Sequence, residues 1–107
     1  MDTIIENGKI ADTALGIDFN GIMTFYIYIE FKKFFCTYGG YALDEYKTEN
    51  KKRKGTSYGM QKIMDILDCL GVSHWEDLKG KYVRCEYKKS GEIIRIGNII
   101  EDKWFLM

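Results

Sequence analysis

The sequence predicts an α+β fold, a mostly antiparallel sheet in the order β-β-β-α-α-β-β with one main helix packed on one face. Three observations support this: strict two-residue alternation over residues 22–31, a helical apolar spacing over residues 58–70, and renewed strand-like patterning over residues 82–100. The chain has 107 residues, of which 46% are hydrophobic, and this is enough for one core. We therefore expect a single domain spanning residues 1–107.

Three strands are predicted first. Residues 9–17 form a weaker strand, which Asn20-Gly21 joins to the alternating segment, because this pair tolerates the positive φ of tight hairpin turns. In the alternating segment, one set of side chains is expected to face the core: Met23, Phe25, Ile27, Ile29 and Phe31. The other set is expected to face outward: Ile22, Thr24, Tyr26, Tyr28 and Glu30. After Lys32-Lys33, residues 34–38 supply a third strand and complete a meander.

A charged loop and the main helix are predicted next. Eight of the twelve residues in 44–55 are charged, a composition typical of a solvated, mobile loop. The helix is expected to begin at about Tyr58, with Thr56 or Ser57 as its cap, and to end at Gly71, where a left-handed residue suits a helix C-terminus. Its core-facing stripe is predicted from the helical spacing of apolar residues: Met60, Ile63, Met64, Leu67 and Leu70.

A short second helix is predicted before the last strands. Ser73 and Glu76 have the spacing of a capping box, so this helix is expected to run to about Leu78. His74 is the only histidine, and its position at the helix start favours a surface or cap-adjacent role over a catalytic one.

The C-terminal part is predicted to return to strand. Residues 82–87 and 92–100 read as a second hairpin, and residues 99–105 are too apolar to remain undocked. One face of the last strand is expected to carry three isoleucines: Ile94, Ile96 and Ile100.

Composition argues against several classes of function. Cys36, Cys69 and Cys85 are odd in number and lack metal-ligand spacing, so we expect reduced thiols, packed in strands for Cys36 and Cys85 and part-exposed for Cys69. With a single histidine and no phosphate-binding glycine motif, no metal, no cofactor and no enzymatic activity are expected. No apolar run reaches the roughly 18 residues of a membrane span, and no secretory signal is visible, which favours a cytoplasmic protein.

Tyrosines dominate the candidate binding residues. The chain has eight tyrosines, a residue that gives large contact area at little entropic cost. The candidate partner surface combines tyrosines of the meander with the glycines that follow it: Tyr26, Tyr28, Tyr38, Gly39, Gly40 and Tyr41. The alternative is that these rings are half-buried beneath loops, and that the two glycines serve a turn or a bulge.

Basic residues supply a second candidate surface. Four consecutive cations lie in the charged loop: Lys51, Lys52, Arg53 and Lys54. With Lys32 and Lys33 they could contact phosphates while tyrosines stack on bases, although a charge run is commonly only a solvated loop. The 16 basic and 16 acidic residues cancel, which weakens the nucleic-acid interpretation and argues against an acidic mimic of DNA.

Four segments together resemble a known group of proteins: residues 39–44, 55–60, 71–84 and 96–105, among them Gly-Gly-Tyr-Ala-Leu-Asp and Trp-Glu-Asp-Leu-Lys-Gly-Lys-Tyr-Val-Arg. The set is similar to a family of small, mostly uncharacterised proteins of tailed phages and prophages, over nearly the whole chain. The family usually carries a shorter, more acidic insert before the helix. The resemblance implies a phage accessory protein, a class that commonly blocks host defence complexes, CRISPR effectors included.

The leading hypothesis is a non-enzymatic, phage-derived protein that inhibits a bacterial defence system, as an anti-CRISPR does, by protein contact in the host cytoplasm. The alternative is a phage protein that binds single-stranded nucleic acid or a nucleotide. A third hypothesis is an enzyme with a site built on His74 and an acidic neighbour. Pairing of sheet edges makes a homodimer reasonable.

Overall fold

Most of the chain forms one antiparallel sheet of six strands, with the spatial order β3-β2-β1-β6-β7-β8. The structure is a computed structural model and describes residues 2–107. The strands are β1 (Thr3–Ile17), β2 (Met23–Glu30), β3 (Phe35–Gly39), β4 (Asp44–Lys47), β5 (Lys52–Gly55), β6 (Tyr82–Lys88), β7 (Ile93–Gly97) and β8 (Trp104–Phe105). One helix, α1 (Ser57–Leu70), follows β5 and packs on the sheet. The predicted α+β class, with one helix and a mostly antiparallel sheet, is confirmed.

Two predicted segments differ from the structure. Residues 44–55 form the small hairpin β4-β5 rather than a mobile loop, because the opposite charges of Asp44 and Arg53 pair across it. The second helix is only a four-residue 3₁₀ turn, Trp75–Leu78, whose preceding residue His74 makes no side-chain cap. The predicted capping box of Ser73 and Glu76 is therefore wrong, since the segment is too short to form an α-helical turn with orphan donors to cap.

The first strand is longer than predicted because two partners share it. Its second half pairs with β2, as the hairpin signal indicates. Its first half, from Thr3 to Lys9, pairs with β6 near the other end of the chain. Long-range pairing of this kind leaves no local turn signal, so the strand is predicted only from residue 9.

The core lies between the sheet and α1. The inward set of β2 is confirmed, with Phe25, Ile27 and Ile29 fully buried and Met23 packed at its edge. On α1 the prediction is partly wrong, since Met60 is 63% exposed and Met64 is also exposed. Leu70 is buried as predicted and Ile63 packs against the core, and three further helix residues are buried: Gly59, Ile66 and Cys69. This rotation of the helix relative to the predicted stripe follows from Gly59, which lies directly against the backbone of Leu43.

In the C-terminal strands, the set of buried residues also differs from the prediction. An extra residue in β7, opposite the step from Glu86 to Tyr87, turns Ile93 inward in place of Ile94. Ile96 is buried as predicted, whereas Ile100 lies exposed beyond the end of β7. The expected docking of residues 99–105 is confirmed only at Phe105, which is buried, since Ile99 and Ile100 are exposed. The expectation for Cys69 is wrong, because this free thiol is buried in the core.

The sheet curves until its two ends meet. Cys36 on β3 donates to the carbonyl oxygen of Gly91, next to β7, at 3.1 Å. The rings of Tyr38 on β3 and Phe105 on β8 lie 6.4 Å apart, edge to face. The core therefore fills the concave side, and most of the convex side, which we call the outer face, is open to solvent. Thr24, although predicted to face outward, is 2% exposed, and its hydroxyl donates to the carbonyl oxygen of Tyr41 at 2.6 Å. Within residues 2–107, no helix has the length and apolar character needed to cross a membrane.

Candidate functional site

Two stacked tyrosines mark the outer face. Tyr26 and Tyr28 point away from the core because Phe25, Ile27 and Ile29 alternate with them. Their rings stack with centroids 6.3 Å apart and planes 17° apart, and Tyr28 is exposed.

A shallow groove borders this tyrosine pair. On β1 the neighbours near Tyr26 are small, since Ala14 lies opposite Tyr26 and Gly16 lies opposite Thr24, whereas Asp12 lies opposite Tyr28. The groove has a volume of about 270 Å³ and is lined by Ala14, Gly16 and Tyr26 among others. Of the two rings, Tyr26 lines this groove and Tyr28 does not.

Gly39 and Gly40 allow the chain to pass close to this pair. Both have positive φ, 129° and 84°. A Cβ at Gly39 would lie 2.2 Å from the carbonyl oxygen of Phe25, and one at Gly40 would lie 3.2 Å from the ring of Tyr26. The positive φ is confirmed but the expected turn is not, because Gly39 ends β3 and the chain continues alongside β2, whose atoms are the close neighbours of both glycines.

Tyr38 does not belong to the exposed surface. It lies opposite Ile27 in the register and therefore points into the core, where it is 2% exposed. Its ring packs against Phe25, with centroids 6.1 Å apart, and burial raises the pKa of its hydroxyl above the ordinary value. The prediction of Tyr38 as a partner-binding residue is wrong for this reason. Tyr41, beside it, is exposed.

Further aromatic residues on the outer face were not predicted from the sequence. Cross-strand partners form a row, Phe35, Glu30, Lys9 and Tyr82, that runs from β3 to β6. Phe35 is 71% exposed and Tyr82 is also exposed. The position of Phe35 follows from the pairing of β2 with β3, whereas that of Tyr82 depends on the pairing of β1 with β6, for which the sequence carries no local signal.

A third part of the outer face is built on Trp104. The Arg95 guanidinium lies 3.8 Å from the centroid of this ring, and Arg84 lies 5.6 Å from it. Arg95 also donates to Glu86 at 2.6 Å. The hydroxyl of Thr3, together with Arg95, holds the pKa of the Glu86 carboxyl below its ordinary value. Arg84 makes no carboxylate pair within residues 2–107 and donates instead to the carbonyl oxygen of Ile99.

The hairpin of β4 and β5 contains the four basic residues 51–54, of which one supports the fold and three are exposed. Arg53 donates twice to Asp44, at 2.8 Å each, and the Asp44 side chain is only 6% exposed. This fork lowers the pKa of the Asp44 carboxyl. Arg53 is therefore committed to the fold, whereas three lysines remain exposed: Lys51, Lys52 and Lys54. The hairpin lies at the start of β2, since the Leu43 amide donates to the carbonyl oxygen of Met23 at 2.8 Å.

Lysines also lie at the other end of β2. Lys32 and Lys33 form the exposed turn into β3. Lys32 and Lys9 line an open cleft of about 600 Å³ together with Tyr82 and Glu30. The tyrosine pair thus lies between two basic ends, along a strand of eight residues that spans about 26 Å.

His74 has the surface position that the sequence favours. Its Nδ1 atom lies 3.6 Å from Oδ2 of Asp77, and both side chains are largely exposed.

The chain was compared with known proteins in three ways. No family model matches it, and neither a curated protein nor a solved structure does. The resemblance to small phage proteins stays a prediction.

Proposed function

We propose that this protein binds single-stranded nucleic acid on its outer face. The observation that carries the proposal is the stacked pair Tyr26 and Tyr28, of which Tyr26 borders a groove lined by Ala14 and Gly16. Bases present a flat π-face whatever their sequence, and a stacked base contributes about 1–3 kcal/mol of binding free energy. Phe35 and Tyr82 extend the aromatic surface across the sheet.

The positions of the cations fit a backbone that crosses this surface. Lys32 and Lys33 lie at one end of β2, and the exposed lysines of the hairpin lie near the other. Single-strand binders combine such cations with aromatic platforms, and their sites cover about 4–16 nucleotides per small barrel. The zero formal net charge makes the local arrangement of lysines, rather than the overall field, the source of phosphate affinity.

The fold supports the proposal by analogy. Partly open, five-stranded barrels of the OB type bind oligonucleotides on the face of their second and third strands. The sheet of this protein is similar in curving around one core, and its aromatic outer residues begin on β2 and β3. Because unrelated functions share such folds, the proposal rests on the exposed side chains and not on the fold.

The test measures fluorescence anisotropy of labelled oligo(dT), oligo(A) RNA and a DNA duplex over a series of salt concentrations. We expect single strands to bind and the Tyr26→Ala and Tyr28→Ala variants to bind roughly 5- to 150-fold more weakly each. Tyr58→Ala is the matched control, because Tyr58 is exposed on α1 and lies off the outer face. No binding of either single strand, or equal losses in all three variants, would show that the proposal is wrong.

A lysine variant tests the phosphate contacts separately. Replacing Lys51, Lys52 and Lys54 together by alanine should lower the slope of log K against log salt by about 2, since each phosphate contact on a single strand contributes about 0.7. Lys103→Ala, near the chain end, is the control and should leave the slope unchanged. An unchanged slope in the triple variant would exclude the hairpin from the binding site.

The second candidate is the inhibitor of a bacterial defence system, an anti-CRISPR-like protein acting by protein contact. Exposed Tyr28, Tyr41 and Phe35 favour it, because aromatic residues are enriched at protein interfaces. It is supported less well than nucleic-acid binding, since Tyr38 is withdrawn into the core. Survival of phage in cells with active CRISPR immunity, measured with the wild type and Tyr28→Ala, tests it. Equal phage killing with and without the protein would contradict it.

A further inference from the structure

Glu30 places a carboxylate within the row of cross-strand partners on the outer face. It lies opposite Phe35 on β3 and opposite Lys9 on β1. Tyr28 precedes it by two residues on the same strand and therefore shares its face. Glu30 is exposed, and within residues 2–107 no ion pair joins it to a cation. Its carboxylate is therefore free to meet a ligand that stacks on the neighbouring rings.

The same carboxylate lines the open cleft at the end of β2. Lys9, Lys32 and the ring of Tyr82 line this cleft with it. The volume of the cleft, about 600 Å³, lies within the range of small-ligand sites, which is about 300–1,000 Å³. The cleft therefore offers a negatively charged acceptor, two ammonium donors and an aromatic surface to one ligand.

A carboxylate in this position does not suit the phosphates of a bound strand. A phosphodiester is negative and only accepts hydrogen bonds, so Glu30 repels it while Lys9 and Lys32 attract it. The groups of a DNA strand that donate to a carboxylate are the N–H groups on the edges of its bases. Asp12 places a second carboxylate opposite Tyr28, although it already accepts from the Thr13 amide at 2.9 Å. The carboxylates beside the rings therefore fit base edges.

Bases differ in what they present to such an acceptor. Cytosine carries the N4 amine, a hydrogen-bond donor, where thymine and uracil carry the O4 oxygen, an acceptor. A carboxylate accepts from the amine and repels the oxygen. Adenine and guanine also carry an exocyclic amine.

We propose that Glu30 makes the outer face select single strands whose bases carry an exocyclic amine, so that cytosine is preferred to uracil and thymine. The inference rests on the proposed function, since it requires single strands to bind on this face. It adds a contact to the base edge, whereas stacking on Tyr26 and Tyr28 does not distinguish one base from another.

The test measures fluorescence anisotropy of labelled oligo(dC) and oligo(dU) at neutral pH and a fixed salt concentration. The two strands share one backbone and one ring size and differ at the base edge. For the wild type we expect oligo(dC) to bind roughly 5- to 10-fold more tightly, the lower part of the range for one base-specific contact, because Glu30 is exposed. In Glu30→Gln the amide both donates and accepts, so the two strands should bind within about 2-fold of each other.

Glu76→Gln is the matched control. Glu76 is also an exposed glutamate, but it lies in the 3₁₀ turn rather than in the sheet. This variant removes the same charge and should keep the wild-type preference for oligo(dC). A carboxylate that only repelled the backbone would give a different result, because Glu30→Gln would then tighten both strands by the same factor. Retained binding of oligo(dU) shows that Glu30→Gln is folded.

Loss of the preference in Glu30→Gln, with the preference kept in Glu76→Gln, would support the inference. Equal binding of the two strands by the wild type would overturn it and leave the proposed function standing. A preference for oligo(dC) that persists in Glu30→Gln, or that is lost in Glu76→Gln, would also overturn it. No binding of either strand by the wild type would overturn both the inference and the proposed function.

Discussion

Replacing Gly59 by alanine should destabilise the protein, although alanine is the better helix former. A Cβ at this position would lie 1.9 Å from the carbonyl oxygen of Leu43 and 2.7 Å from its carbonyl carbon. Both atoms belong to the backbone, so no side-chain rotation relieves the contact. The helix or the Leu43 segment must move.

The Leu43 segment is held in place from both sides. Its amide donates to the carbonyl oxygen of Met23 at 2.8 Å, and its carbonyl oxygen accepts from the Thr56 hydroxyl at 2.9 Å. The same Thr56 oxygen caps the helix by accepting from the Gly59 amide at 2.8 Å. Moving Leu43 away from the new methyl group therefore breaks at least one of these bonds.

The expected change in the free energy of unfolding combines one stabilising and two destabilising contributions. Alanine in place of glycine stabilises a helix by about 1 kcal/mol. Overpacking of a close contact costs about 1–3 kcal/mol, and one lost hydrogen bond costs about 1 kcal/mol. The free energy of unfolding should therefore fall by about 1–3 kcal/mol, which is a large share of the stability of a small domain.

Urea denaturation measures this change, with Gly55→Ala as the matched control. Gly55 precedes the helix, and a Cβ there meets no atom within 4 Å. The control should stay within about 0.5 kcal/mol of the wild type. A Gly59→Ala variant as stable as the wild type, or more stable, would refute the assignment of the close approach and the explanation of how the helix is rotated.

Two predictions concern pH. The Arg53 guanidinium lowers the pKa of Asp44, so their pairing stabilises the fold above the ordinary carboxyl pKa of 3.8 and is lost as pH falls through the lowered value. Unfolding followed at acidic pH should show a weaker pH dependence in Asp44→Asn than in the wild type, and equal slopes would contradict this. Burial raises the pKa of Cys85 from 9.0 to about 12. The buried neutral thiol therefore makes its full contribution to the free energy of unfolding below pH 9.0, and this contribution is lost as the pH rises toward 12. Cys85→Ala should lose stability less steeply over that range in urea titrations, and an unaltered slope would show that this thiol is not the titrating group.

The sequence predicts the parts of the fold that local periodicity controls. The alternation of Phe25, Ile27 and Ile29 identifies the buried face of β2, and Gly71 closes the helix with φ of 72° as expected of a left-handed cap. Thr56 caps the other end. Each of these signals lies within a few residues of the structure it predicts.

Features that depend on distant partners could not be predicted in this way. The first half of β1 is a strand because β6 pairs with it, and the exposure of Tyr82 follows from the same pairing. Tyrosine is a residue type often found at surfaces, but Tyr38 pairs with Ile27 across the strands and its ring packs against Phe105. These two distant partners bury it. The hairpin that Asp44 and Arg53 join consists mostly of charged residues. A hydropathy pattern does not reveal that such residues pair with each other.

The shared pairing of β1 constrains how the chain acquires its structure during synthesis. Thr3 and Glu86, whose side chains are joined by a hydrogen bond of 2.6 Å, are separated by 83 residues. The hairpin of β1 and β2 is local and can form while the ribosome is still translating, but the other half of β1 must wait for β6 to emerge. Until then its backbone amides and carbonyls are solvated and available to other strands. Nascent molecules should therefore be most prone to aggregate before β6 has emerged.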